Sequence, residues 1–318
     1  MPNWNVILRE IKAYVDANAN DPDKARRAFD VVRRKHLKAL SDHTNRNTIA
    51  YYSGFLSKPG IGGLDINDED KNGFMLAVDG MDRKKGLDLI LHTPGGGIWE
   101  TQSIVDYLHK MFRNDIRAIV PQIAMSAGTM VACSCKSIVM GKHSNLGPID
   151  PQLRGVPAYG VIQEFRRAYK EVKKDPAMEF NWQQIIRQYR PTFLSQCENS
   201  IAGSNSFVRE QLAAVMFAGQ PNAKDRARKT VRQLASYTGN KAHSRHIHAN
   251  ECEAMGLKIE HLEKKGEEKF QDLVLTVHHC FMHTLTNTGA YKIIENQEGI
   301  AFVKQLQMQS VIQAPAGT

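Results

Sequence analysis

The chain has 318 residues, with 42 Lys and Arg against 33 Asp and Glu, a formal net charge of +9, and 42% hydrophobic residues. That composition is globular and excludes a disordered or fibrous chain. The most apolar stretch, 116–135, is broken by Arg117, Pro121, Gln122, Ser126 and Ser134, short of the roughly 18 unbroken apolar residues of a spanning helix. The positive balance permits an acidic partner and specifies none.

Five scattered cysteines (Cys133, Cys135, Cys197, Cys252, Cys280) read as reduced thiols and not as a disulfide framework. The N-terminus MPNWNVILREIKAYVDAN carries acids early and lacks an apolar run before a small-residue cleavage site, so no secretory leader is read there. A cytoplasmic protein is expected.

In chain order, residues 1–48 are helical and amphipathic. Ala25, Phe29, Val32, His36 and Leu40 share a face, with Arg26, Arg27, Arg33, Arg34 and Lys35 mostly off it. Thr48–Tyr52 is a strand, 57–70 a Gly/Pro/Asp-rich loop, and Phe74–Met81 a helix. Leu87–Leu91 reads as a buried strand that ends in Thr93-Pro94-Gly95-Gly96-Gly97. Ile98–Phe112 is a helix, Ile116–Val120 a strand, Met125–Cys135 a helix and Ser137–Met140 a strand. Leu146–Pro151 pairs beyond that strand. This alternation predicts an α/β core over 48–155. Residues 160–235 are helical and charged. A short helix from Glu251 capped at Gly256, a strand, and a helix over Asp272–Leu285 follow.

Two turns invite chemistry. Ser126, in Ala124-Met125-Ser126-Ala127-Gly128-Thr129, lies where strand gives way to helix, and free N–H groups at a helix start can stabilise an oxyanion. The glycines 95–97 leave backbone N–H groups unhindered at the end of another strand. Adjacent parallel strands would bring both turns to the carboxyl edge of the sheet, where α/β proteins place their sites. No nucleotide-type glycine pattern is present. Residues 278, 279 and 283 put three histidines on one helix but without an H-E-x-x-H glutamate, so they read as core or interface residues and no metal is assigned. Asp68, Glu69 and Asp70 read as a solvated turn. His243, His246 and His248 alternate as a strand would, with His246 facing away from His243.

Taken together, DLILHTPGGG, VPQIAMSAGT and SNLGPIDPQ resemble the serine dehydrogenase proteinase family of the ClpP/crotonase-like superfamily, and are more distantly similar to signal peptide peptidase A. The resemblance extends through NTIAYYSG, RPTFLSQCENSI, AHSRHIHANECEAMGL, LTVHHCFMHTL and KIIEN, over most of the chain. It implies a stacked β–β–α core in an α/β fold with N-terminal and inserted helical segments. The segments are 1–47 helical, 48–155 core, 156–238 helical insertion, 239–308 the rest of the core with closing helices, and 309–318 a flexible tail.

The resemblance further implies a serine peptidase in which Ser126 is the nucleophile. The N–H groups of Gly96 and Ala127 bind the oxyanion, and Gly95 and Gly97 shape the loop. The slots for base and acid carry exchanged residue types, which gives Ser126, His243 and Asp150 as the triad. His248 falls at a helix-cap position. Lys170 or Lys173 is the alternative base, as in a Ser–Lys dyad, although a lysine base must be desolvated and these, with Lys174, stand in a charged run. No cofactor is expected. Expected partners are a protein or peptide substrate, further copies in a trimer or hexamer, and an unidentified delivery or unfolding partner. Other readings are an inactive scaffold of the same fold or a crotonase-type acyl-CoA enzyme. Nucleic acid has only charge in its favour, and the basic clusters 24–38, 166–174 and 224–232 are assigned to solvated or assembly faces.

Overall fold

A computed structural model describes residues 4–236 and 242–306; the expected tail, 309–318, lies outside them. Three helices open the chain, α1 (Trp4–Ala17), α2 (Pro22–Arg26) and α3 (Ala28–Thr44). Then come β1 (Asn47–Ser53), α4 (Asp68–Val78), β2 (Leu87–His92), α5 (Ile98–Phe112), β3 (Ile116–Val120), β4 (Ile123–Ala124), α6 (Ala127–Cys133), β5 (Ser137–Met140) and β6 (Asn145–Leu146). A hairpin, β7 (Gln152–Leu153) and β8 (Val156–Pro157), leads into α7 (Ala158–Lys174), α8 (Glu179–Ile186), α9 (Phe193–Gln211) and α10 (Ala223–Leu234). The last part holds β9 (Ile247–His248), a helix over Ala249–Ala254, β10 (Ile259–His261), a helix over Glu268–Asn287, β11 (Ala290–Asn296) and β12 (Ala301–Gln305).

The fold is mixed α/β around a mostly parallel sheet in the order β10-β5-β3-β2-β1-β11-β12, where β11 alone is reversed and pairs antiparallel with β1 and β12. Both faces are covered, which is why β1 and β2 read as unbroken buried runs. Leu87, Leu89 and Leu91 pack with α4, α5, α6, α9 and α10, while Ile90 packs with α3 and the helix Glu268–Asn287.

Several expectations are corrected. Leu146 does not extend the main sheet; β6 pairs with β4 and β9 in a small second sheet, and β10 takes the place beside β5. The helix expected from Phe74 begins at Asp68, because Asn67 and Asp70 form a reciprocal capping box. Asp70 is therefore not in a solvated turn. It is fully buried, 2.9 Å from Lys292 Nζ, and accepts from Tyr51 Oη at 2.7 Å. Lys292 also donates to the Asp65 carbonyl at 2.6 Å. Arg33, placed among off-face residues, is likewise buried. Its guanidinium meets Glu295 at 2.5 and 3.1 Å and Thr284 at 3.1 Å.

All five cysteines are free and buried. Burial pushes the Cys135 thiol up to about 12, so it is no nucleophile. His278 and His283 are buried, as core residues. Among the described residues no cluster could hold a metal, and no helix is long and apolar enough to cross a membrane.

Candidate active site

The site begins with how β2 ends. Beyond His92 the chain can no longer pair regularly with β3, and Thr93 instead forms a parallel bridge with Ala124. Its N–H donates to Ile123 at 3.2 Å, and its carbonyl accepts from Met125 N–H at 3.0 Å. This clamps the two turns together at the carboxyl edge. Ser126 follows at once, half-buried, with φ 51 and ψ −114, at the N-cap of α6. A non-glycine residue in that region is strained by about 1–3 kcal/mol. The strain lets strand turn sharply into helix with the hydroxyl at the apex, as in nucleophile elbows.

Gly95 faces this elbow at φ 102, and a Cβ there would stand 2.7 Å from Ser126 Cβ and 2.8 Å from the Met125 carbonyl. Gly96 is bridged to Ile66: Ile66 N–H donates to the Gly95 carbonyl at 2.7 Å, and Gly97 N–H donates to the Ile66 carbonyl at 3.0 Å. A Cβ on Gly96 would lie 2.3 Å from Ile66 N and O, so no larger residue fits. Because the groups of residues 95 and 97 point toward Ile66, strand alternation turns the Gly96 N–H the other way, to the cleft. Ala127, first residue of α6, carries an N–H with no intrahelical partner.

A cleft of about 600 Å³ joins these parts, lined by Gly95, Gly96, Gly97, Ser126 and His243 among others. Behind it, His243 Nδ1 lies 3.0 Å from Asp150 Oδ1. A carboxylate accepts, so Nδ1 is the donor of this contact and Nε2 is the ring nitrogen left for another partner. The Asp150 side chain is 3% exposed and that of His243 24%, which leaves the ring open to the cleft.

Residues that sequence reasoning passed over hold Asp150 in place. Thr129 Oγ1 is 2.9 Å from the carbonyls of Ala124 and Gly147 and accepts from Gly147 N–H at 2.9 Å. Ser204 Oγ donates to the Ile149 carbonyl at 2.9 Å, and Ile149 N–H donates to Leu234 at 3.2 Å. No local pattern announces these contacts, since Ser204 and Leu234 lie on helices far along the chain. Glu100 and Trp99 were also missed, although they follow the glycines directly. The Glu100 carboxylate lies against Gly97, and the Trp99 indole against Gly203 of α9.

A family profile described as ClpP-like SDH-type serine proteinase matches residues 20–194. The chain belongs to that family. The matched span contains the glycine loop, Ser126 and Asp150 but stops before His243. Two relatives from Methanocaldococcus jannaschii are similar as well. Uncharacterized protein MJ0137 is 34% identical over 139 residues, covering 42% of this chain and 48% of its own length. Uncharacterized protein MJ1495 is 31% identical over 110 residues, covering 35% of this chain and 37% of its own. The chain thus spans less than half the length of these curated relatives.

Other candidates are placed elsewhere. Lys170, Lys173 and Lys174 are exposed on α7, and none lines the Ser126 cleft, so the desolvation a lysine base needs is missing. The strand expected through His243, His246 and His248 starts only at Ile247; His243 is in a turn. His248 caps the helix Ala249–Ala254, its N–H bonded to Glu251 at 3.1 Å.

Proposed function

We propose that the protein is a cytoplasmic serine endopeptidase working through an acyl-enzyme on Ser126. The observation that carries this reading is the cleft shared by Ser126, the glycine loop and a histidine whose far nitrogen is engaged by a buried aspartate. In the proposed step, Ser126 Oγ attacks the peptide carbonyl while its proton passes to His243 Nε2. The carbonyl oxygen takes the negative charge and is held by the N–H groups of Gly96 and Ala127. His243 then gives the proton to the leaving amine, and Asp150 stabilises the transient imidazolium. Water then attacks the acyl carbon as it loses a proton to the same nitrogen, and the ester bond breaks as His243 returns that proton to Ser126 Oγ, releasing the acid product.

The cleft also suggests which peptides it takes. Among the described residues its lining includes the carboxylates of Asp65 and Glu100 and no lysine or arginine, on a chain with net charge +9. That lining favours a substrate with a basic side chain near the scissile bond. Assembly into a trimer or hexamer belongs to the same proposal; Tyr169 and Phe180, each 69% exposed on α7 and α8, supply apolar surface for such contacts.

The test is labelling with a fluorophosphonate followed by peptide mapping. The expected result is a single adduct on Ser126, lost in Ser126→Ala together with hydrolysis of peptide substrates. Hydrolysis that persists in Ser126→Ala would remove the assignment. An unlabelled protein with no hydrolysis would leave the scaffold reading, and binding of coenzyme A in calorimetry would favour acyl-CoA chemistry.

A further inference from the structure

The helices α7, α9 and α10 bring together basic residues that are far apart in sequence. Arg166 of α7, Arg209 of α9, and Arg228 and Arg232 of α10 line one groove of about 470 Å³ beside Tyr159 and Asn205. Among the described residues no carboxylate lines it. Arg209 donates to Ser206 at 3.0 Å, and Arg228 meets Asp225 at 3.4 Å on an exposed face. The clusters 166–174 and 224–232, read from sequence as separate solvated or assembly faces, thus converge. All four arginines are exposed, so solvent screens their mutual repulsion, and they remain available to a shared anion.

We infer that this groove binds a small ligand carrying adjacent phosphate groups, of the nucleoside diphosphate class. Planar guanidinium forks pair bidentately with phosphate oxygens, and four of them on three helices line one open groove. The volume is in the range of small-molecule sites. A second depression shares Arg209 and Arg228, is lined also by Lys224 and by Glu210, whose carboxylate accepts from Ser206, and has an apolar floor of Ala213, Ala214 and Ala223. A base can lie there while the phosphates meet the arginines.

The groove has a mechanical link to Asp150. Asn205 adjoins Ser204, and Ala235 adjoins Leu234; Ser204 and Leu234 both hold Ile149. A ligand that draws α9 and α10 together acts on the residue beside Asp150. This coupling rests on the peptidase reading, whereas binding does not.

Calorimetry on the full chain carrying Ser126→Ala, with ADP and with inorganic pyrophosphate as probes, separates the two. Binding of either probe is expected, weakened at least about ten-fold in Arg166→Gln/Arg232→Gln with an unchanged melting temperature. Tighter binding of ADP than of pyrophosphate assigns the apolar depression to a nucleoside; equal binding assigns the site to phosphates alone. Absence of heat with both probes, or affinity unaltered in the double variant, overturns the site. Hydrolysis by the wild-type chain that does not respond to a bound probe overturns the coupling and leaves the site standing.

Discussion

Asp150 and His243, 93 positions apart, meet at 3.0 Å because four separate elements fix the loop that carries the aspartate. Thr129 of α6, Ser204 of α9 and Leu234 of α10 each bond the segment Gly147–Ile149, and β6 anchors it to β4. If the pair orients the proposed base, Asp150→Asn lowers kcat by about 10³–10⁴ through the wrong imidazole tautomer. Steady-state peptide hydrolysis measures this, and an unaltered circular dichroism melt excludes misfolding as the cause. A decrease below ten-fold would refute the role.

Ser126 is held at positive φ, so activity and stability oppose each other at this position. Ser126→Gly relieves the strain and is expected to raise unfolding free energy by about 1 kcal/mol relative to Ser126→Ala. Both variants abolish hydrolysis. Urea denaturation of the pair measures the difference; equal midpoints would show that the backbone is unstrained.

Glu100 lies against Gly97 at the cleft. Glu100→Gln is expected to lower kcat/KM for a substrate with arginine near the scissile bond by about ten-fold, the 1.4 kcal/mol of a partly solvated charge contact. The leucine analogue should change little. Parallel kinetics on the two peptides decide it, and an equal loss on both would deny a charge preference.

Lys292 and Asp70 are both fully buried, and Lys292 also anchors Asp65, next to the Ile66 that pairs with Gly96. Burial itself pushes the Lys292 ammonium down, against the pull of Asp70. Lys292→Met leaves a buried carboxylate unpaired and is expected to cost about 3–5 kcal/mol. Asp70→Asn in the same chain should recover part of that loss. Chemical denaturation of the three proteins checks it, and additive losses in the double variant would count against the pairing.

His92 is enclosed by Tyr52, Phe55 and His278, with neither ring nitrogen bonded among the described residues. Burial pushes its pKa from 6.5 to about 3, and burial lowers that of His278 as well. Between pH 6.5 and 3 the unfolded chain therefore binds more protons than the folded one. Stability is fully present above pH 6.5 and falls as pH drops through this window, by up to about 1.4 kcal/mol per pH unit for each such histidine. Urea midpoints should be flat above pH 7 and decline below 6.5, less steeply in His92→Phe. Identical slopes in the two proteins would exclude His92 as the source.

Local chemistry determined much of this protein from its sequence. An apolar run followed by three glycines specified β2 and its turn, and helical periodicity specified α5 over Ile98–Phe112. Small residues around Ser126 marked a strand-to-helix junction, because each of these signals acts within a few residues of itself. Tertiary structure decided the rest. Arg33 and Asp70 look solvated in a charged local context, yet they are buried against partners 262 and 222 positions away. The main sheet accepts β10 and not Leu146 as its edge, and three arginines from two charged runs meet Arg209 over one groove. A charge is buried or solvated according to what packs on it, and that partner is chosen by the closing of the fold, not by neighbours along the chain.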